Sequence, residues 1–336
     1  MLTRRYVLAA PVADLPRPEH FRLERVELPA PGEGEILVRN EYISVDPGMR
    51  GRLSGVVTYA PPLGIGEVIE AATVGEVLVS RHPKFAVGDH VVAGFGWQEH
   101  ALSNGRGVRR IPDDRLPRSL WIGILGIPGL TAYFGMLEIG RPQAGETVLV
   151  TSAAGPVGAT AGQLARRAGC RVVGVAGGGK KCTWLGELGF DAVVDHRAAP
   201  DLGLAIAALC KDGVDILFDN VGNAMIDRVL PIMRPFGRIV VSGQIADYNV
   251  PPGARVGITN TIAFIGQRLT MRGFVAFDYA KEFPHAWADL SAAVLAGELR
   301  YREDIEDGFE HLPSAFIGLF AGANFGRKLI RVPPGS

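Results

Sequence analysis

The sequence predicts an α/β protein in which an open, doubly wound parallel sheet is joined to a second, mostly β domain shaped as a partly open barrel. From about residue 142, short β-branched and apolar runs alternate with segments of helical periodicity, the order that builds parallel strands with right-handed crossovers. Before about residue 120, and again beyond about 299, the chain reads as short strands punctuated by Gly and Pro. A length of 336 residues suits two domains and buries a core without disulfide or metal staples. The expected boundaries are 1–124 with 297–336 for the β-rich domain and 125–296 for the doubly wound one.

Each element has a local reason. Arg4-Arg5 precedes an apolar stretch, 6–10, that Pro11 ends; it is too short for a secretory leader and reads as a first β-strand with a basic start. Residues 35–39 (EILVR) form a half-buried strand, and in 85–92 (FAVGDHVV) a Gly-Asp turn separates two apolar stretches. The uncharged run 119–137 raises the question of a membrane span. Pro128 and Gly123, Gly126, Gly129 and Gly135 interrupt its apolar face, so it reads as a buried helix and its lead-in. Residues 147–151 (TVLVT) suit a strand buried on both faces. After a Gly-rich turn, Val157, Ala161, Leu164, Ala165 and Ala168 recur at helical spacing until Gly169 stops the helix. The alternation continues through strand 171–176, helix 181–188, strand 192–195, helix 201–211, strand 214–219, a helix near 224–233 and strand 238–242.

Composition excludes several function classes. The 35 Lys and Arg balance 35 Asp and Glu, leaving no basic excess for nucleic-acid phosphates or an anionic membrane surface. A hydrophobic content of 47% excludes disorder as the main state. The scattered Cys170, Cys182 and Cys210 supply neither a disulfide framework nor a four-thiolate zinc site, and suit a reducing, cytoplasmic compartment. The seven His show no HExxH or equivalent spacing, so no metal site is expected.

The chemistry concentrates at strand ends. Thr151-Ser152-Ala153-Ala154-Gly155-Pro156-Val157-Gly158 lies between a strand and a helix. A pyrophosphate needs backbone N–H groups pointing at it from a helix N-terminus, with no side chain blocking close approach. Ala153, Gly155 and Gly158 meet the second condition, and in this context the turn points to dinucleotide binding rather than a purely structural bend. About 20 residues further on, an NAD site places a carboxylate on the ribose 2′-hydroxyl. Here Ala176-Gly177-Gly178-Gly179-Lys180-Lys181 has none, and its two lysines beside three glycines leave room and positive charge for a 2′-phosphate. NADP(H) is therefore the expected cofactor; the bland alternative is a solvated helix start. Because ligands bind outside the carboxyl ends of parallel strands, two more turns stand out: Asp219-Asn220-Val221-Gly222, with Asn220 facing a ribose, and Ser242-Gly243-Gln244, whose small residues admit backbone approach. Taken singly, each also reads as ordinary turn chemistry.

Further segments occur in order along nearly the whole chain: Tyr42-Ile43-Ser44-Val45-Asp46-Pro47-Gly48-Met49-Arg50, Gly129-Leu130-Thr131-Ala132-Tyr133, Leu188-Gly189-Phe190-Asp191, Gly243-Gln244-Ile245-Ala246-Asp247-Tyr248-Asn249, Met271-Arg272-Gly273-Phe274 and Gly322-Ala323-Asn324-Phe325-Gly326-Arg327. With them the chain resembles the medium-chain dehydrogenase/reductase superfamily, which joins a Rossmann domain to a GroES-like catalytic domain. More narrowly it is similar to the zinc-independent branch of prostaglandin reductases (leukotriene B4 dehydrogenases) and alkenal double-bond reductases. The resemblance implies that Gly155, Pro156, Val157 and Gly158 form the pyrophosphate loop and that Lys181 meets the 2′-phosphate. It also implies that Asn220, Ser242, Gly243, Gln244, Tyr248, Phe274, Val275, Ala276 and Asn324 contact the nicotinamide half. There are two departures. His196 stands where a Tyr is expected beside the 2′-phosphate, which makes binding more sensitive to pH. Gly48 replaces a substrate-lining Tyr and opens the pocket. The Gly-His-Glu segment of zinc alcohol dehydrogenases reads Gly64-Ile65-Gly66-Glu67. The family is usually dimeric through edge strands, which 269–274 (LTMRGF) would suit.

The expected reaction is NADPH-dependent reduction of the C=C bond of α,β-unsaturated ketones and aldehydes: hydride to the β-carbon, an enolate, and a solvent proton to the α-carbon. Negative charge develops on the carbonyl oxygen, where a donor must wait; Tyr248 is the candidate, beside the nicotinamide ribose hydroxyl. The alternative for Tyr248 is a loop aromatic that only packs on the cofactor. The rival functions are an NADPH quinone oxidoreductase on the same fold and a non-catalytic NADPH-binding protein, with a zinc alcohol dehydrogenase more distant.

Overall fold

Two segments far apart in sequence, Met1–Ile122 and Glu303–Ser336, form one folded unit, and Gly123–Arg302 forms a second. The structure is a computed structural model that describes residues 1–57, 60–112 and 115–333.

The first unit opens with an antiparallel pair, β1 (Leu2–Leu8) and β2 (Phe21–Glu27). A mixed sheet follows, with β3 (Ile36–Ser44), β4 (Thr73–Ser80), β5 (His90–Ala93), β6 (His100–Ser103) and β7 (Arg109–Arg110). Of the 85–92 segment, only the second apolar stretch is strand; the turn before it places Gly88 at φ 87°, a conformation that favours glycine. A one-turn helix, α1 (Met49–Arg52), follows β3.

The second unit carries the predicted alternation. The 119–137 run resolves into a 3₁₀ turn, Arg118–Ile122, that ends the first unit, then α2 (Ile127–Phe134), which continues into a π-helical turn at Gly135–Gly140. A Cβ on Gly129 would lie 1.7 Å from the Ile124 carbonyl oxygen, so this lead-in requires glycine there. β8 (Thr147–Val150), α3 (Pro156–Arg167), β9 (Arg171–Ala176), α4 (Gly179–Glu187), β10 (Ala192–Asp195), α5 (Leu202–Leu209), β11 (Val214–Asp219), α6 (Asn223–Val229), β12 (Met233–Val241), α7 (Ile262–Gln267), β13 (Thr270–Gly273) and α8 (Phe283–Leu295) complete it. The six strands are parallel in the order β10-β9-β8-β11-β12-β13. Between β8 and β11 the strand order reverses direction, the switch point at which such sheets bind ligands. Every residue of β8 is buried, as its unbroken apolar pattern predicts.

The chain then returns to the first unit. There β15 (Arg327–Arg331) pairs with β14 (Glu303–Asp307) and with Tyr42–Ser44 of β3, while Ile36–Arg39 of β3 pairs with β6. Of two register shifts against β4, the one between Asn40 and Tyr42 bends β3 between these partners, curling the sheet towards a barrel. Tyr6, Phe21, Trp97 and Phe309 pack with Phe316 of α9 (Leu312–Phe320) in this unit's core. Among the described residues no helix is long and apolar enough to cross a membrane.

Candidate active site at the carboxyl ends of the parallel strands

The first turn is shaped by close packing. The chain leaves β8 at Thr151 and reverses through Ser152, whose φ of 48° is left-handed. Gly155 is the N-cap of α3, its N–H donating to the Ser152 carbonyl oxygen at 3.0 Å, and Pro156 occupies the first helical position, where its missing N–H removes no bond. A Cβ on Gly158 would lie 2.6 Å from the Ser152 oxygen and 2.8 Å from the Ala153 Cα, so only glycine lets the helix start this close to the turn. The N–H groups of Val157 and Gly158 fall in the first helical turn, which has no intrahelical acceptors for them and carries the positive end of the helix dipole. This cradle fits a pyrophosphate.

A buried network ties this turn to the next two. Asp219 ends β11 with its side chain fully buried; Oδ1 accepts from Thr151 Oγ1 at 2.7 Å and Oδ2 from the Gly222 N–H at 2.8 Å. Burial pushes its pKa up to about 6, against the opposing pull of these donors. Thr151 Oγ1 accepts from the Asn220 N–H, and Asn220 Nδ2 donates to the Thr151 carbonyl oxygen, both at 2.8 Å. That bond commits one of the amide's donors within the protein and leaves Oδ1 as the atom suited to a ribose hydroxyl. The Asp219 carbonyl oxygen accepts from Ser242 N–H and Gly243 N–H, at 2.8 and 3.2 Å.

Cations gather where the second strand ends. Lys181 lies half-buried in the first turn of α4, beside exposed Lys180. A Cβ on Gly177 would meet His196 Nε2 at 2.6 Å and Arg197 Nε at 3.0 Å, so both side chains close over this glycine. Asp195, the carboxylate ending β10, is committed elsewhere: Oδ1 accepts from the N–H groups of Gly178 and Arg197, each at 2.9 Å, and these bonds hold its carboxyl below the usual range. Sequence reasoning missed Arg197. The available signal was a third cation immediately after the His at a strand end.

The loop after β12 is laced to the same network, with Ile245 N–H donating to the Asn220 carbonyl oxygen and Ala246 N–H to that of Val221, at 3.2 and 3.0 Å. Within it the Gln244 N–H makes a long contact, 3.4 Å, to the hydroxyl of half-buried Tyr248. A Cβ on Gly222, at φ 129°, would lie 2.4 Å from Asp247 Oδ2, so this loop also rests on a glycine. Val275 and Ala276 follow β13, and the Phe274 ring lies against Gly135 of the π turn. Asn324 belongs to the first unit, where its Nδ2 donates to the Gly326 carbonyl oxygen at 2.9 Å.

Among the described residues one group brings three metal-capable side chains within reach of one another: Glu41, Glu76 and His90 of the first unit. Arg118 and Arg39 already neutralise its carboxylates, at 2.8 and 2.6 Å, which makes it an ion-pair cluster. Cys170 is a protonated thiol, pushed up to about 11 by burial and donating to the Gln143 carbonyl oxygen.

A doubly wound sheet with a glycine-lined first turn and cations at its second strand end defines a class, the two-domain oxidoreductases that use a nicotinamide dinucleotide. Comparison with known proteins narrows it. Residues 4–111 match the family model described as the N-terminal domain of oxidoreductase, and 156–292 the one described as zinc-binding dehydrogenase. The chain is 43% identical over 334 residues to the NADPH-dependent curcumin reductase of Escherichia coli (strain K12), covering 98% of this chain and 96% of that protein. It is 39% identical over 324 residues to prostaglandin reductase 1 of Rattus norvegicus, covering 94% and 95%. The crystal structure of CurA in complex with NADPH from Vibrio vulnificus has a TM-score of 0.93 at 38% identity, covering 98% of this chain and 99% of that one. The chain belongs to the medium-chain dehydrogenase/reductase family, in its zinc-independent branch.

Proposed function

We propose that this protein is an NADPH-dependent reductase of the C=C bond in α,β-unsaturated ketones and aldehydes. The observation that carries the proposal is the joining, at one end of the parallel sheet, of the Gly158 cradle and the His196 and Arg197 side chains over Gly177. The cradle holds a pyrophosphate through the N–H groups of Val157 and Gly158, with Gly155 leaving room for close approach and Pro156 setting the helix start. Lys181, His196 and Arg197 hold the 2′-phosphate. Asn220, Ser242, Gly243 and Gln244, with the backbone of Phe274, Val275 and Ala276, line the nicotinamide half; Asn324 is assigned by family resemblance alone. On the same resemblance, 125–296 is the nucleotide domain and 1–124 with 297–336 the catalytic one.

NADPH, when bound, supplies a hydride. Reduction then places negative charge on the substrate's carbonyl oxygen, and Tyr248 donates to it. The Gln244 N–H polarises that hydroxyl and strengthens it as a donor. The α-carbon takes its proton from solvent, so the reaction needs no dedicated acid. An NADPH-depletion assay with a panel of enones, alkenals and quinones tests this reading. Turnover of enones and alkenals is expected; turnover confined to quinones makes the protein a quinone reductase, and none at all with NADPH bound makes it a binding protein.

The same reading makes the protein a cytoplasmic homodimer. All three cysteines are free thiols, in keeping with a reducing compartment. β13 is the edge of the parallel sheet and every residue in it is exposed, as are Ile262 and Ile265 of the preceding helix. A second copy adding its own edge strand would satisfy this ladder and cover the apolar residues. Sedimentation equilibrium at twice the chain mass is expected, and a monomer would remove the proposal.

A further inference from the structure

Thr151 and Asp219 lie at the switch point, yet neither has a place among the groups proposed above to touch cofactor or substrate. Both are fully buried. Their bonds join the ends of three neighbouring strands. Thr151 follows β8 directly, and its N–H donates to the Phe218 carbonyl oxygen at 3.1 Å. Its hydroxyl donates to Asp219 Oδ1 and accepts from the Asn220 N–H, at 2.7 and 2.8 Å. Asp219 Oδ2 takes the Gly222 N–H, which shapes the turn after β11, and the Asp219 carbonyl oxygen takes the N–H groups of Ser242 and Gly243 after β12. One hydroxyl and one carboxylate thus set the relative positions of the pyrophosphate turn and the turn that carries Asn220, while the backbone carbonyl of Asp219 ties on the loop that carries Tyr248.

We propose that Thr151 and Asp219 are positioning residues that hold these three strand-end turns in register for the cofactor. The inference rests on the cofactor pocket proposed above. A carboxylate is needed because the Thr151 hydroxyl and the N–H groups of Val221 and Gly222 that face it are all donors; an amide would turn a donor towards one of them. A hydroxyl is needed at 151 because it must donate and accept at once.

Thr151→Val keeps the shape and removes the hydroxyl, leaving Asp219 Oδ1 without its donor and the Asn220 N–H without its acceptor. The Kd for NADPH, read from the fluorescence of the bound nucleotide, and the KM for NADPH are expected to rise about tenfold or more. Turnover at saturating NADPH should stay within about threefold, and Thr151→Ser should restore binding to within about twofold. If Thr151→Val does not fold, Asp219→Asn, of the same size, carries the same expectation for Kd and KM. NADPH binding unchanged in the folded variant, a fall in kcat alone, or a Thr151→Ser variant as weak as Thr151→Val would each overturn the inference. Gly158→Ala separates the two readings. If it weakens NADPH binding while Thr151→Val does not, only the positioning role fails; if neither does, the pocket itself is misplaced.

Discussion

Replacing Gly158 with Ala tests how the pyrophosphate turn is built. The added Cβ would lie 2.6 Å from the Ser152 carbonyl oxygen, 2.8 Å from the Ala153 Cα and 3.1 Å from the Ser152 carbonyl carbon. All three are backbone atoms of the turn, so no side chain can swing away. Turn and helix start must separate by roughly half an ångström to an ångström to reach ordinary contact in a close-packed interior. Such overpacking costs about 1–3 kcal/mol, and the better helix propensity of Ala returns about 1 kcal/mol, leaving a stability loss of about 2 kcal/mol at most. The effect on binding is larger because the donors of the cradle move apart. Losing one hydrogen bond to a charged group, worth about 1.5–3 kcal/mol, raises the Kd for NADPH about ten- to a hundredfold. The assay is a fluorescence titration of folded variant and wild type with NADPH, beside a Gly48→Ala control. Gly48 has a helical φ of −62° and nothing within 4 Å of its added Cβ, so this control should bind NADPH as wild type does. A Gly158→Ala protein that binds NADPH within twofold of wild type would refute the reasoning.

Three further outcomes are expected. Lys181→Ala and Arg197→Ala should each weaken NADPH about tenfold while leaving NADH affinity unchanged, because each removes charge only from the 2′-phosphate; parallel titrations with both nucleotides decide it. Asp219 has a folded pKa of about 6 against an ordinary 3.8, so its contribution to stability is full below the lower value and is lost as pH rises through the higher. Urea unfolding should show wild-type stability falling by up to about 3 kcal/mol over that window relative to Asp219→Asn, and parallel profiles would contradict the assignment. Tyr248→Phe should lower kcat on an enone about a hundredfold with the NADPH Kd near wild type; wild-type turnover would remove Tyr248 from the chemistry.

The parallel sheet was legible because each strand announces itself locally: β8, β9 and β11 are apolar runs closed by a turn, and the intervening helices keep their period. Where prediction and structure part, distant contacts decide. β12 starts at Met233 rather than 238, because Met233 already pairs with Val214 of β11; residues 234–237 form an irregularity in the register before Arg238 pairs with Ile216. Phe236 there takes a left-handed φ of 66°, which no local rule predicts. In the candidate site, the glycines could be read from the strand–turn–helix pattern. The use of Asn220 Nδ2 on Thr151, 69 residues away, could not. Nor could the packing of the Phe274 ring on Gly135, since both depend on which strand ends lie side by side. Arg197 was hidden differently: its place over Gly177, beside His196, comes from the fold.

The central claim is that hydride reaches the carbon β to a carbonyl. Reduction of an enone with NADPD, followed by NMR of the product, tests it directly. A saturated ketone with deuterium at the β-carbon and unlabelled hydrogen from solvent at the α-carbon is expected. An allylic alcohol with deuterium at the carbinol carbon would contradict it.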